Sequence, residues 1–259
     1  MRYLLTSLLL AFVVLSSGCD PDGYSCNSEG CYEDNDNPQY QTLEDCKSMC
    51  DESIPGNCGT VNHAGHTYST VLIGEQCWFA ENCRYLPEVS PSSEGNMTSA
   101  YYYVHGYEGA DVEAAKATNN YETYGVLYNW PAVMTEGICP SGWHIPSDGE
   151  LQTMEISLGM SESEAAATGG RGTDEGYQMK STSGWDSGGN GSNSSGWTGL
   201  PGGIRYSGGF ILNGDYGYWW SASESGSYSW LRRLGDYHGN VDRYYDFRGL
   251  GFSARCVRD

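Results

Sequence analysis

Tyr216-Gly217-Tyr218-Trp219-Trp220-Ser221-Ala222, Trp230-Leu231-Arg232-Arg233-Leu234 and Phe252-Ser253-Ala254-Arg255-Cys256-Val257 are short, aromatic-rich segments set off by glycines. Such side chains suit a pleated, half-buried surface and glycine supplies the turns between strands, so the C-terminal part reads as a run of short strands. Upstream, Gly184 to Gly196 is mostly Gly, Ser and Asn and reads as a surface loop. Before it, Ser147-Asp148-Gly149-Glu150 is a capping box that opens a helix ahead of Leu151, Met154 and Leu158. Val126, Leu127, Trp130 and Val133 follow a helical spacing across Gly125 to Val133, closing in a Pro-containing turn. Tyr101 to Val104 is a strand candidate. His66 to Ile73, a Gly74-Glu75 turn and Cys77-Trp78-Phe79 read as a hairpin. Few helices early and many short strands late make an α+β domain.

Composition narrows the partners. The chain has 259 residues, 33 acidic against 13 basic side chains, and a formal charge of -20. With 21 Tyr, 8 Trp and 36 Gly but only 18% charged residues, it is neither an acidic disordered tail nor a coiled coil. A chain this negative is a poor partner for nucleic acid, whose phosphates demand Lys and Arg. The charge is uneven: residues 200–259 hold seven Arg against six acids, which leaves a net of -21 on residues 1–199.

Residues 1–18 read as a signal peptide: Arg2 is followed by an apolar run from Leu4 to Leu15, too short to span a bilayer comfortably. The run ends in Leu15-Ser16-Ser17-Gly18-Cys19, which resembles a bacterial lipobox, with Cys19 the residue expected to carry lipid. This makes the membrane a partner through an acyl anchor and places the protein in the bacterial cell envelope, at the outer membrane or cell surface. Residues 19–57 form a tether and a small disulfide-rich module containing Cys26, Cys31, Cys46 and Cys50, bounded by Pro55-Gly56-Asn57. Four thiolates at this spacing suit zinc, but export favours oxidation to two bridges, of which three connectivities are possible. The main domain is residues 58–259. In it, a bridge between Cys139 and Cys256 would tie the chain's end to its middle, and one between Cys58 and Cys77 would close a two-strand segment. Cys83 is then the spare, expected to be buried.

No constellation for catalysis stands out. His63, His66, His105, His144 and His238 are scattered without metal-ligand spacing, and no nucleophile elbow, phosphate loop or dinucleotide fingerprint occurs. His144 reads as a packed structural histidine. Asp186 to Asn193 offers oxygen ligands but departs from a calcium loop, so it reads as solvated. No catalytic residue, metal or cofactor is expected, and the protein is read as not an enzyme.

Ile73-Gly74-Glu75-Gln76-Cys77-Trp78-Phe79-Ala80-Glu81-Asn82, Tyr124-Gly125-Val126-Leu127-Tyr128-Asn129-Trp130 and Cys139-Pro140-Ser141-Gly142-Trp143-His144-Ile145-Pro146 occur in order. Leu200-Pro201-Gly202-Gly203, Tyr218-Trp219-Trp220-Ser221-Ala222-Ser223-Glu224 and Gly251-Phe252-Ser253-Ala254-Arg255-Cys256-Val257-Arg258-Asp259 follow them. Over about residues 60–259 the chain resembles the Fibrobacter succinogenes major paralogous domain family. The resemblance implies a fold related to C-type lectins and the formylglycine-generating enzyme, with few helices and short twisted antiparallel sheets. It also implies the Cys139–Cys256 bridge, and an aliphatic residue usually stands where this chain has Cys83.

The function expected is a surface-anchored lipoprotein that binds or displays a ligand, either a glycan or a surface protein, through a C-terminal aromatic surface. A structural envelope or filament component is the alternative, and an oxidase using Cys77 with Cys83 is a third. Tyr244, Tyr245 and Phe247 with Arg243 and Arg248 form the densest aromatic-plus-Arg cluster, as at binding hot spots. Tyr237, His238, Asp242, Tyr244, Tyr245, Asp246 and Phe247 are therefore expected on one exposed face, with Trp219 and Trp220 buried beneath.

Overall fold

A computed structural model describes residues 24–27, 30–33 and 58–259. The chain divides into two units, residues 1–54 and 55–259. In the first, β1 (Tyr24–Asn27) and β2 (Gly30–Glu33) form an antiparallel hairpin whose register sets Cys26 opposite Cys31. The leader, Cys19, Cys46 and Cys50 lie outside the described residues.

The second unit opens with β3 (Thr60–His63), β4 (His66–Ile73) and β5 (Gln76–Phe79), joined as antiparallel neighbours. Gly65 and Gly74 turn these corners at φ of +79° and +62°, a left-handed backbone that side chains resist. Cys58 is bridged to Cys77 in β5, with Cα atoms 5.6 Å apart. Next come β6 (Tyr102–Tyr103), α1 (Val112–Lys116), α2 (Asn119–Tyr124), β7 (Leu127–Tyr128) and α3 (Trp130–Val133). The helical spacing across Gly125 to Val133 is thus corrected. Gly125, at φ +72°, ends α2, and Leu127 and Tyr128 pair with β6. Tyr128 also bridges Phe252, so long-range pairing on both edges overrides the local spacing. Only four helical residues remain, N-capped by Asn129.

β8 (Trp143–His144) precedes α4 (Asp148–Ser157), which begins at the Ser147–Glu150 capping box, and α5 (Glu162–Ala166) has a second box at Ser161 and Glu164. β9 (Gly169–Arg171) and α6 (Glu175–Met179) lead into Gly184 to Gly196. That stretch is not simply a solvated loop: Trp185 and Gly191 are buried, and a Cβ on Gly191 would lie 2.4 Å from the carbonyl oxygens of Tyr177 and Lys180. The rest is β10 (Gly202–Tyr206), β11 (Gly209–Asn213), β12 (Tyr216–Ser225), β13 (Tyr228–Gly235), β14 (Val241–Phe247) and β15 (Val257–Arg258).

Two larger sheets result, β3-β4-β5-β15-β8 and β12-β13-β14-β9, beside the two-stranded pair β6-β7 and the hairpin β10-β11, and every paired strand is antiparallel to its neighbour. The fold is mixed, with few helices and mostly antiparallel sheets. Phe252 to Val257 departs from the strand expected of it, since only Val257 and Arg258 form β15. The residues before them bond to several elements in turn: Arg205 with Gly251, Tyr128 with Phe252, Trp219 with Ser253, and Cys83 with Ala254. No single partner strand runs alongside, so the segment is a buried seam between sheets. Cys256 within it is bridged to Cys139, with Cα atoms 5.9 Å apart. Two apolar clusters fill the interior; Trp219 belongs to one and Trp220 to the other.

Candidate functional site

Successive side chains of a strand point to opposite faces of a sheet. Arg232 and Arg233 are neighbours in β13, so they enter different surroundings. On one face the register lines up Tyr218, Arg233 and Asp242, then Trp220, Leu231 and Tyr244, then Ser229 and Asp246. On the other it lines up Trp219, Arg232 and Arg243, then Trp230 and Tyr245, then Tyr228 and Phe247.

The first face carries a cleft of about 330 Å3. Its floor is the buried Ile204, Leu231, Leu250 and Phe252, and its walls are Tyr206, Tyr218, Arg233, Tyr244 and Asp246. Tyr218 stacks on Phe252 at 5.0 Å with 16° between the planes, which orients its ring. The Arg233 guanidinium lies 5.0 Å from the ring centre of Tyr244 and 5.1 Å from that of Tyr216, and its Nε donates to Asp242 Oδ2 at 2.7 Å. Burial would pull this guanidinium down, but the Asp242 carboxylate outweighs it and holds the group above its usual range. Burial likewise raises the Tyr218 hydroxyl. Tyr216 donates to the Tyr237 hydroxyl at 3.2 Å, and that bond is the main cause that pushes it up to about 12. The cleft therefore presents tyrosine faces and hydroxyls, one cation neutralised by a buried carboxylate, and the Asp246 side chain. Asp246 Oδ1 accepts from the Phe247 N–H at 2.7 Å, which fixes the group at the strand's end.

The seven residues expected on one exposed face are divided. Tyr244 and Asp246 face the cleft, and Tyr237 joins this side through an edge contact with Tyr216. Asp242 is buried beside Arg233, with His238 Nε2 3.7 Å from its Oδ2. Tyr245 and Phe247 point the other way, against Trp230 and Tyr228, although Tyr245 still borders the cleft. The single-face expectation fails because a seven-residue strand alternates, however aromatic it is. Trp219 and Trp220 are both buried, on opposite faces. Arg243 is not a surface cation: it bonds Asp148 and lies over Trp230 at 3.7 Å. Arg248 covers Trp130 at 4.3 Å. Tyr206, Tyr218 and Arg233 were absent from the expected set. Grouping Tyr216 and Tyr218 with Arg233, Tyr244 and Asp246 by a two-residue period would have found most of the cleft.

Around Arg232 and Arg243 the other face is sealed by charge, while Tyr245 and Phe247 farther along it stay exposed. Glu155 accepts from Arg171 at 2.8 and 2.9 Å and from Arg232, and Asp148 accepts from Arg232 at 2.7 Å and Arg243 at 2.6 Å. Burial would raise the Asp148 carboxyl, but its bonds to Arg243 and Arg232 hold it below its usual range.

Elsewhere, Cys77 is engaged in its bridge, and Cys83 is a buried free thiol that burial pushes up to about 12, so the two form no reactive pair. The Cys83 sulfur lies 3.6 Å from that of Cys256. His144 is not packed away as expected: it is partly exposed between Asp259 and Glu150, because β8 pairs with the chain's last strand and brings the C-terminus to it. Asp186 lies against Gly214, and no group of three or more His, Cys, Asp or Glu among the described residues is arranged to hold a metal ion.

A family model described as the Fibrobacter succinogenes major domain matches residues 71–258. No curated protein and no solved structure matches the chain.

Proposed function

The chain belongs to the Fibrobacter succinogenes major domain family, and we propose that it is a lipid-anchored cell-envelope protein whose C-terminal cleft binds neutral saccharides. The observation that carries the reading is the tyrosine-walled cleft around the Arg233–Asp242 pair. Tyrosine rings offer flat apolar area to the C–H faces of a sugar ring, at low entropy cost, and polar tips to its hydroxyls. Charge decides against anionic ligands. Arg233 is already paired with Asp242, so the Asp246 carboxylate and the strongly negative protein repel an anion. A neutral ligand rich in hydroxyls does not meet that penalty.

The small helix content and antiparallel sheets are compatible with a C-type-lectin-like arrangement, which belongs to the same proposal. Anchoring is assigned to Cys19, and among the described residues no helix is long and apolar enough to cross a membrane. A filament component cross-linked through Cys83 is disfavoured, because that thiol is buried.

A neutral glycan array probed with wild type and Tyr244→Ala tests the binding reading. Signal that is lost in the variant supports it, whereas no signal on any glycan, or equal signal from both proteins, overturns it. For the anchor, Cys19→Ser is expected to move the protein from the membrane to the soluble fraction; unchanged fractionation rejects lipidation.

A further inference from the structure

A second cleft, of about 450 Å3, adjoins the first and shares Tyr206 and Leu250 with it. It is bordered by Ser93, Asn96, Met97, Ser207 and Phe247. The first cleft alone is near the lower limit of small-molecule sites, which run from about 300 to 1,000 Å3. The two together exceed what one sugar ring fills.

The second cleft is built rather than incidental, because one buried side chain organises its backbone. Arg205 donates from Nε to the Ser92 carbonyl at 2.8 Å, from Nη2 to the Glu94 carbonyl at 2.8 Å, and from Nη1 to the Gly249 carbonyl at 3.0 Å. Its guanidinium also lies 5.0 Å from the Tyr103 ring centre, and its main chain pairs with Gly251. Loops from three parts of the chain are thereby held around one point. Gly95 lies so close that a Cβ there would meet the Tyr103 hydroxyl at 2.5 Å and Arg205 Nη1 at 2.8 Å. On this fixed base stand three large apolar side chains that remain exposed: Met97 at 54%, Tyr206 at 48% and Phe247 at 53%. The Arg205 charge is turned inward onto carbonyls, so this cleft presents no cation, and exposed Ser93 and Ser207 supply hydroxyls beside the apolar groups.

We infer that the ligand is a neutral oligosaccharide of at least two rings, running from the Tyr218–Tyr244 cleft past Tyr206 into a second subsite walled by Met97 and Phe247. The inference rests on the saccharide reading of the first cleft and names the form the ligand takes. Tyr206 stands between the subsites and serves both. This also gives Phe247 a place in recognition: it lies across the sheet from Tyr244 but at the strand's end, where it reaches the second cleft.

The test uses the intact protein on an array of glucose, mannose and xylose oligomers, each presented as one to six units. Apparent affinity is expected to rise about tenfold or more from one unit to three or four and then level off, roughly 1.4 kcal/mol for the added contacts. Met97→Ala and Phe247→Ala should flatten that rise while leaving single-sugar signal within about twofold, and both positions are exposed enough for the fold to tolerate truncation. Binding that does not grow with length, or growth that survives both substitutions, overturns the second subsite and leaves the first intact. No binding to any member, or binding only to extended peptides on a parallel array, overturns the saccharide reading and this inference with it.

Discussion

Arg232 and Arg233 are chemically identical, adjacent in one strand and opposite in fate. Arg232 is fully buried with Asp148 and Glu155, beneath α4; Arg233 is partly exposed, paired to one carboxylate and laid between two tyrosine rings. One face of the β12-β13-β14-β9 sheet is closed by a helix that brings acids to meet arginines. The other is covered at Trp220 by the seam and stays open only around Arg233 and Tyr244. The difference teaches that a cation is a structural group where its counter-charges come from a packed element, and a cleft-facing group where they come from its own sheet. A buried network of this kind resists loss of one member far more than it adds net stability, because the remaining charges stay desolvated.

That contrast is broken most directly at Glu155. Glu155→Gln removes the charge facing both Arg171 and Arg232, and the expected loss is about 5 kcal/mol, measured as urea or thermal unfolding, the top of the range for buried pairs. A loss under about 1 kcal/mol would erase the distinction between the faces. Next is the floor of the open face, where Phe252 sits on the seam held by the Cys139–Cys256 bridge. Cys139→Ser opens a loop with a sequence separation of 117, and about 2–5 kcal/mol of stability should go with it. Saccharide binding should weaken in parallel if the seam shapes the cleft.

Tyr244→Ala should lower affinity for neutral saccharides about tenfold or more, equivalent to roughly 1.4 kcal/mol, with a change in unfolding midpoint of no more than a few degrees. Tyr228→Ala, across the sheet, should leave affinity for a single sugar unchanged; equal losses in both variants would remove the face specificity. The smallest effect is on the acid side. Asp148 has a folded pKa held below its unfolded value, so its contribution is present above about pH 4 and is lost as pH falls through the folded pKa. Below pH 4 the unfolded chain binds a proton that the native group does not, and stability falls with pH by up to about 1.4 kcal/mol per unit from this one group. Asp148→Asn should flatten that limb.

Elements decided by neighbouring residues were legible. The Ser147–Glu150 capping box and the hairpin from His66 to Phe79 depend on contacts a few positions apart, and both are present as read. Gly125 to Val133 was misread because its apolar spacing suits a helix while Leu127 and Tyr128 are claimed by β6 and Phe252. The site was half legible. Tyr244 and Asp246 fall in the expected set because β14 concentrates aromatic residues and Arg, but Tyr206, Tyr218 and Arg233 come from three other strands. Their convergence depends on register, which no local window contains.

By itself, the sequence determined the family through six ordered motifs, the α+β class through strand and cap signals, and the acidic character of the chain. Those properties are sums or short-range patterns, and they survive without knowing which strand lies beside which. Tertiary structure alone decided that Arg233 meets Tyr244 while Arg232 and Arg243 turn inward, that Tyr245 and Phe247 leave the face of Tyr244, and that Cys83 is left buried beside a completed bridge. A shift of one residue in the pairing of β13 would exchange Arg232 and Arg233 between a sealed charge network and an open cleft. That choice is made by the packing of α4 on one side and the seam on the other, not by the identity of the residues in the strand.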